Sequence, residues 1–351
     1  MDQSLPNLRE WPTWLYYAAG AALLLIVAML WTPSRIPQPF GYVHRAHVLA
    51  FYEKGWDGNL GLPDLRKHIK DIETLSPFWY SVQRDGSIKT HNFEPEVATL
   101  ARQNHVQLVP LVNNGGGNFA ILQNEASMNN AITNLINLVK QNNLDGLNID
   151  FELIPANVRD HLSEFMRRLR AGLPKGKVLG VSVFPVYKID PSVSGAYDYA
   201  ALGQSVDQFV IMLYNRHQDN SPPGPNAPLD WVRKNIEYAL TKLPAKKIFV
   251  GVPGYGWDWR QGTDKADYRG SAQLAQIAQQ NGANVQWDKS SQTPFFTYSD
   301  QTGQRIAWYE SPESAKLKLN LINQHRLGGV AMWRIGFEQN AFWNQIRKEM
   351  H

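Results

Sequence analysis

Eight short runs of β-branched, aromatic and aliphatic residues, spaced along the chain with helical patterns between most of them, constrain the fold more than any other feature. They are His47–Glu53, Ser76–Val82, Gln107–Asn113, Gly146–Glu152, Val178–Phe184, Gln208–Tyr214, Ile248–Pro253 and Gly329–Arg334. In Met128–Gln141, Ile132, Leu135, Ile136 and Val139 recur at helical spacing. Val158–Leu173 repeats the pattern with Leu162, Phe165, Met166 and Leu169. Strands joined by helical crossovers call for a parallel sheet, and eight of them suit a closed (β/α)8 TIM barrel of the α/β class. An open doubly wound sheet would instead want a glycine-rich phosphate turn after an early strand. Gly115–Gly117 follows the third run and lacks the G-x-G-x-x-G spacing. The gap between the seventh and eighth runs is too long for one helix. It holds Ala272–Gln279, then Gln286–Trp308 with a turn at Ser299–Gly303, and reads as a small α+β insertion at about 258–307.

The barrel body is therefore expected over residues 47–351. Residues 1–46 read as a tail, a membrane anchor and a Pro-rich spacer. From Trp14 to Trp31 the chain is apolar, and no charge falls between Glu10 and Arg35. That is close to the roughly 20 residues a spanning helix needs, with Trp and Tyr at both ends as in interfacial belts. A cleaved signal peptide is the rival. Against it, only Arg9 precedes the run as a basic residue, and no small-x-small site follows. The expectation is a single-pass anchor in the cell membrane with the body outside, an orientation inferred from the chemistry below rather than from flanking charge.

The formal net charge of +4 comes without a basic stripe or a DNA-reading spacing, so no nucleic-acid partner is expected. The absence of cysteine excludes disulfides, thiolate zinc sites and cysteine nucleophiles. The nine histidines show no ligand pairing and H-E-x-x-H is missing, so neither metal nor other cofactor is expected. A monomer is expected.

The fourth run, within LDGLNIDFE at Leu144–Glu152, carries the chemistry. Alternate side chains of a strand share a face, so Asn148, Asp150 and Glu152 line one side and Leu147, Ile149 and Phe151 the other. The apolar set packs under helices and the polar set points into the barrel. Burying two carboxyls and an amide without a role is costly. Glu152 also stands at the strand's C-terminal end, where barrel active sites form. Two acids at i and i+2 repel as anions, which raises one pKa and lets one acid hold a proton.

Asp145, Gly146, Asn148, Asp150 and Glu152 resemble the D-G-x-D-x-D-x-E signature of glycoside hydrolase family 18, the chitinase-like barrels. Met212–Tyr214 resembles the family's M-x-Y, Val252–Trp257 its strand-seven motif, and Gly329–Trp333 its eighth strand. The pattern is similar to bacterial members acting on cell-wall or spore-cortex glycans. The resemblance implies hydrolysis of β-linked N-acetylglucosamine-containing polysaccharide, peptidoglycan or chitin-like, assisted by the substrate's own acetamido group, with net retention and no metal. Glu152 would be general acid and then base, Asp150 would orient and stabilise the acetamido group, and Tyr214 would hydrogen-bond it. Trp333 would form the floor under the cleaved sugar. The same barrel could serve as a catalytically silent carbohydrate-binding protein, though such relatives usually lose the acid. A transglycosylase would use the same residues.

One departure is Asn148, which stands where the family has a second Asp and carries no charge; Asp150 is accordingly expected to stay ionised. Substrate contacts are assigned to Trp333, Asn148, Asn215, Asp145, Met212, Tyr52 and Trp257, although the first reading of Asp145 is a brace at the strand entry. Trp79, Tyr80 and Trp259 are further stacking candidates, with ordinary packing the favoured rival. Asn113–Phe119 follows the third strand and either lines the site or only turns. His217 is read as a surface-loop residue, and Gly254–Gly256 as part of the strand-seven motif rather than a phosphate loop.

Overall fold

The computed structural model describes residues 45–55 and 60–351. The expected anchor at Trp14–Trp31 lies outside the described residues; among these, no helix is long and apolar enough to cross a membrane.

Numbered along the chain, the first nine strands are β1 (His47–Tyr52), β2 (Thr74–Val82), β3 (Ile88–Thr90), β4 (Gln107–Leu108), β5 (Leu111–Asn113), β6 (Gly146–Asp150), β7 (Val178–Val183), β8 (Gln208–Ile211) and β9 (Ile248–Pro253). Strands β10 (Tyr255–Arg260), β11 (Ala266–Gly270), β12 (Gln286–Asp288), β13 (Thr293–Asp300) and β14 (Gly303–Tyr309) precede the last, β15 (Gly329–Trp333). Parallel pairing runs β1-β15-β9-β8-β7-β6-β5-β2, and β2 returns to β1, with Leu49 opposite Thr74, so the sheet closes into a barrel of eight strand positions. The third position is split into β4 and β5. Pro110 lacks an N–H, yet its carbonyl accepts from Asn148 N at 2.9 Å and Val109 N reaches Leu75 O at 3.0 Å, so the position stays continuous. Helices Glu125–Gln141 and Arg159–Gly172 are two of the crossovers, and both bury the stripes read from the sequence.

The insertion starts straight after β9, with only Gly254 between, and forms a five-stranded antiparallel sheet in the order β11-β10-β14-β13-β12, with helix Ser271–Gln280 packed on it. It runs from Tyr255 to Tyr309 and is slightly wider than its composition suggests, because β10 continues the seventh-strand motif. The chain returns through helix Pro312–His325. Ser311 and Ser314 close a capping box there, and buried Lys318 reaches Glu310 at 2.8 and 2.9 Å.

Inside the barrel the side chains stack in layers. At the N-terminal end, His47 Nε2 meets Thr74 Oγ1 at 2.7 Å; Thr74 also donates to Gln107 (3.2 Å) and accepts from Gln208 (3.2 Å). Above these polar groups lies an apolar plug of Leu49, Phe51, Leu111, Val210, Phe249 and Ala331, with Trp333 against it. The carboxyls of β6 stand above the plug.

Candidate active site

Period-two alternation in β6 and the residues after it sends Asn148, Asp150 and Glu152 inward. Asp150 and Glu152 reach a cleft of about 350 Å³ at the barrel mouth, which Met212, Tyr214, Asn215, Trp257 and Trp333 also line. Asn148 sits one layer below, fully buried, and accepts Ser182 Oγ at 2.9 Å. Trp333 packs on Phe51, with ring centroids 5.3 Å apart, and so faces the cleft from an apolar base.

The two carboxyls hydrogen-bond each other. Burial raises Asp150 well above the usual carboxylate range, and the neighbouring Glu152 charge raises it further; burial raises Glu152 as well. Both causes run against the expectation that Asp150 stays ionised. The two shifts have one main cause, burial, and each carboxyl is thereby biased toward its protonated form. Asp150 Oδ1 and Asn148 Nδ2 are buried and meet no protein partner. Tyr214 stays a neutral phenol, since burial and both acids push its pKa up.

The backbone beneath Glu152 is held from elsewhere. Asn114 accepts Glu152 N at 3.1 Å and donates to Glu152 O at 2.8 Å. Tyr197 donates its hydroxyl to Phe151 O at 2.7 Å. Past β8, two strands round the barrel from β6, Asn215 adopts φ 59° and its Oδ1 accepts Tyr255 OH (2.6 Å) and Trp257 Nε1 (3.1 Å). That hub ties the insertion's first strand to the end of β8.

Several assigned residues lie elsewhere. Tyr52 is buried, points away from the barrel interior and donates to Glu94 at 2.6 Å; its neighbours Phe51 and Glu53 line the cleft. Asp145 falls on the outward parity of β6. Its Oδ2 accepts Leu108 N at 2.8 Å, so it braces the strand entry and does not reach the cleft. Trp79 and Tyr80 are buried outside the cleft, Trp79 packing on Phe93 at 4.7 Å, and Trp259 is buried with Nε1 on Ser221 O at 2.9 Å. Of the stacking and packing readings open for these three, the structure supports packing. His217 sits in a loop against Pro222 O at 3.0 Å.

Sequence reasoning missed Glu53, Gln218, Tyr268 and Arg334, and flagged Asn114 and Tyr255 only as members of the segments Asn113–Phe119 and Val252–Trp257. Arg334 reaches the Glu53 carboxylate at 3.3 Å and the Glu53 carbonyl at 2.9 Å, and lies over the Phe337 ring at 4.0 Å. Alternation along β1 was a usable signal for Glu53. Asn114, Gln218 and Arg334 are brought in by loops that carry no period.

The family model of glycosyl hydrolases family 18 matches residues 48–338. The cortical fragment-lytic enzyme of Bacillus anthracis is 30% identical over 284 residues, which is 76% of this chain and 66% of that protein. The crystal structure of the Bacillus cereus spore cortex-lytic enzyme SleL superposes with a TM-score of 0.81 at 26% identity, covering 87% of this chain and 75% of that one. A chitinase from Chromobacterium violaceum gives a TM-score of 0.80 at 28% identity, over 87% of this chain and 99% of that one. The chain thus spans just under two thirds of the length of the curated cortical enzyme.

Proposed function

Because the chain belongs to glycosyl hydrolases family 18 and is a glycoside hydrolase, we propose that it cleaves β-linked N-acetylglucosamine-containing glycans, peptidoglycan or chitin-like, by substrate-assisted retaining catalysis. The observation that carries this reading is the hydrogen-bonded acid pair Asp150–Glu152, set in a cleft that Tyr214 and Trp333 also line.

Glu152 donates a proton to the glycosidic oxygen as the bond from that oxygen to the anomeric carbon breaks. The acetamido carbonyl oxygen of the same sugar closes on the anomeric carbon and forms an oxazolinium. Asp150 Oδ1, a buried acceptor with no protein partner, takes the acetamide N–H and balances the positive charge. Tyr214, neutral throughout, donates to the acetamido oxygen. Glu152, now a carboxylate, removes a proton from water, which opens the ring from the face the leaving group left. Two inversions give net retention. The intact acid pair argues against a silent binding protein.

The test is digestion of defined chitin and peptidoglycan oligomers. Mass spectrometry identifies the new ends and proton NMR the first anomer formed. The β-anomer is expected, with Glu152→Gln binding but releasing nothing. Oligomers whose cleaved sugar lacks the N-acetyl group should stay intact; their cleavage at the normal rate would overturn the mechanism. New glycosidic bonds in the products would mark transglycosylation.

We propose further that Trp14–Trp31 anchors the chain in the cell membrane with the barrel outside. The uncharged stretch flanked by aromatic residues supports this. Protease treatment of intact cells should remove the barrel from the membrane fraction.

A further inference from the structure

The accessible surface does not end at Glu152. Leu153 follows it with φ 54° and a side chain 66% exposed, an unfavoured backbone and an unfavoured setting for leucine. It abuts the glycine loop: a Cβ on Gly117 would lie 3.4 Å from the Leu153 Cβ. Past Leu153, the loop at 115–118 and the turn after β2 enclose a groove of about 330 Å³ that Gln83 and Arg84 also line.

Arg84 is exposed and, among the described residues, pairs with no acid. The adjacent Asp85 is committed to Ser87, accepting its N–H at 2.9 Å and its hydroxyl at 2.7 Å. Among the described residues, the N–H groups of Gly116 and Gly117 meet no protein acceptor, and both residues have positive φ (77° and 88°). The turn bearing Arg84 is fastened to helix Glu125–Gln141. Asn130 donates to Asp85 O at 2.7 Å and Asn134 to Gly86 O at 3.0 Å. Gly86 sits so close that a Cβ would come within 2.3 Å of Ser127 O. An unpaired guanidinium and two unmet backbone donors thus border one groove from anchored loops, which is anion-binding chemistry.

The strand order sets the place of this groove around the barrel mouth. In the ring β1-β2-β5-β6-β7-β8-β9-β15, β6 stands across from β15. Trp333 closes the cleft at the β15 side. The groove lies where the ends of β2 and β5 meet, next to β6 in the ring, and the contact of Gly117 with Leu153 sets it beside the Glu152 end of the cleft.

We infer that this groove is a leaving-group-side subsite that selects glycans bearing a carboxylate beside the cut, with Arg84 as the specificity-determining residue and Leu153 as the apolar step between cleft and groove. Its direction along the glycan rests on the reaction proposed above. It makes the favoured substrate an acidic, carboxylate-substituted amino-sugar polymer rather than a neutral one.

The test uses the full chain and three oligosaccharides of equal length. One is a neutral N-acetylglucosamine oligomer. One carries an ether-linked lactyl carboxylate on the leaving-side sugar. In the third, that lactyl group is amide-linked to a short peptide ending in a carboxylate. Arg84→Gln should lower kcat/KM on the acidic substrates by roughly fivefold, as for an exposed charge pair, and leave the neutral one unchanged. The acidic arm that loses more identifies which carboxylate binds. High salt should erase the preference of the unaltered protein. Equal loss on all three substrates, or no loss on any, overturns the subsite while leaving the reaction standing. Calorimetric binding of the same oligomers to Glu152→Gln, with and without Arg84→Gln, decides the groove even if no substrate is cut, an outcome that would sink the reaction alone.

Discussion

Replacing Asn114 with alanine tests whether the catalytic acid is held by a clamp distant in sequence. Asn114 is only 2% exposed and makes both of its bonds to the Glu152 backbone, at 3.1 and 2.8 Å. Alanine removes two hydrogen bonds and leaves a partly buried N–H and C=O without partners. At about 1–1.5 kcal/mol each, the loss of stability is about 2–3 kcal/mol. The Tyr197 bond to Phe151 O at 2.7 Å survives, so the strand end loosens without detaching. A carboxyl displaced by about 1 Å costs up to about 100-fold in rate. Urea unfolding should therefore show a lower midpoint at unchanged slope, and kcat on an N-acetylglucosamine oligomer should fall at least about tenfold. Asn114→Asp keeps the acceptor for Glu152 N, loses the donor and brings a third carboxylate to the neighbourhood, so it should be slower still at high pH. A variant that unfolds earlier but retains full kcat would refute the positioning role. One that changes neither would refute the clamp.

Two further outcomes follow from buried charge. Asp150 and Glu152 are both raised above the carboxylate range, so their contribution to stability is complete below the ordinary carboxylate pKa and is lost as pH rises through the raised values. Glu152→Gln removes one ionising group and the repulsion on the other, so its Tm relative to the parent should climb from pH 4 to pH 8; a difference independent of pH would contradict the burial argument. Lys318→Met strands the Glu310 carboxylate, which is 4% exposed, and should cost about 3–5 kcal/mol in urea, with Glu310→Gln in the same chain recovering part of it.

The strands were legible because each buried run is apolar and bounded by turn residues, and the acid pair because a period of two admits one inward set. The same period, applied to β1 and to the start of β6, places Tyr52 and Asp145 outside the cleft. Tyr52 was misassigned through motif proximity, where parity was the better guide; the brace first read for Asp145 is the role its bond to Leu108 N gives it. Trp79 and Trp259 left two readings open for another reason: an aromatic near a strand end is as readily consumed by packing as by a ligand, and only tertiary context separates the two. Asn114, Arg334 and Gln218 were illegible because their roles depend on loops converging across tens to hundreds of residues, which no local pattern encodes.

The layered interior has an electrical consequence. His47, in the lowest layer, is held by burial at a pKa of about 4, so at neutral pH it contributes no positive charge beneath the acids. The apolar plug above it admits no counter-ion from below. From below, the carboxyl pair therefore meets neutral groups, Asn148 first among them, whereas the charged side chains of Glu53 and Arg334 line the cleft itself.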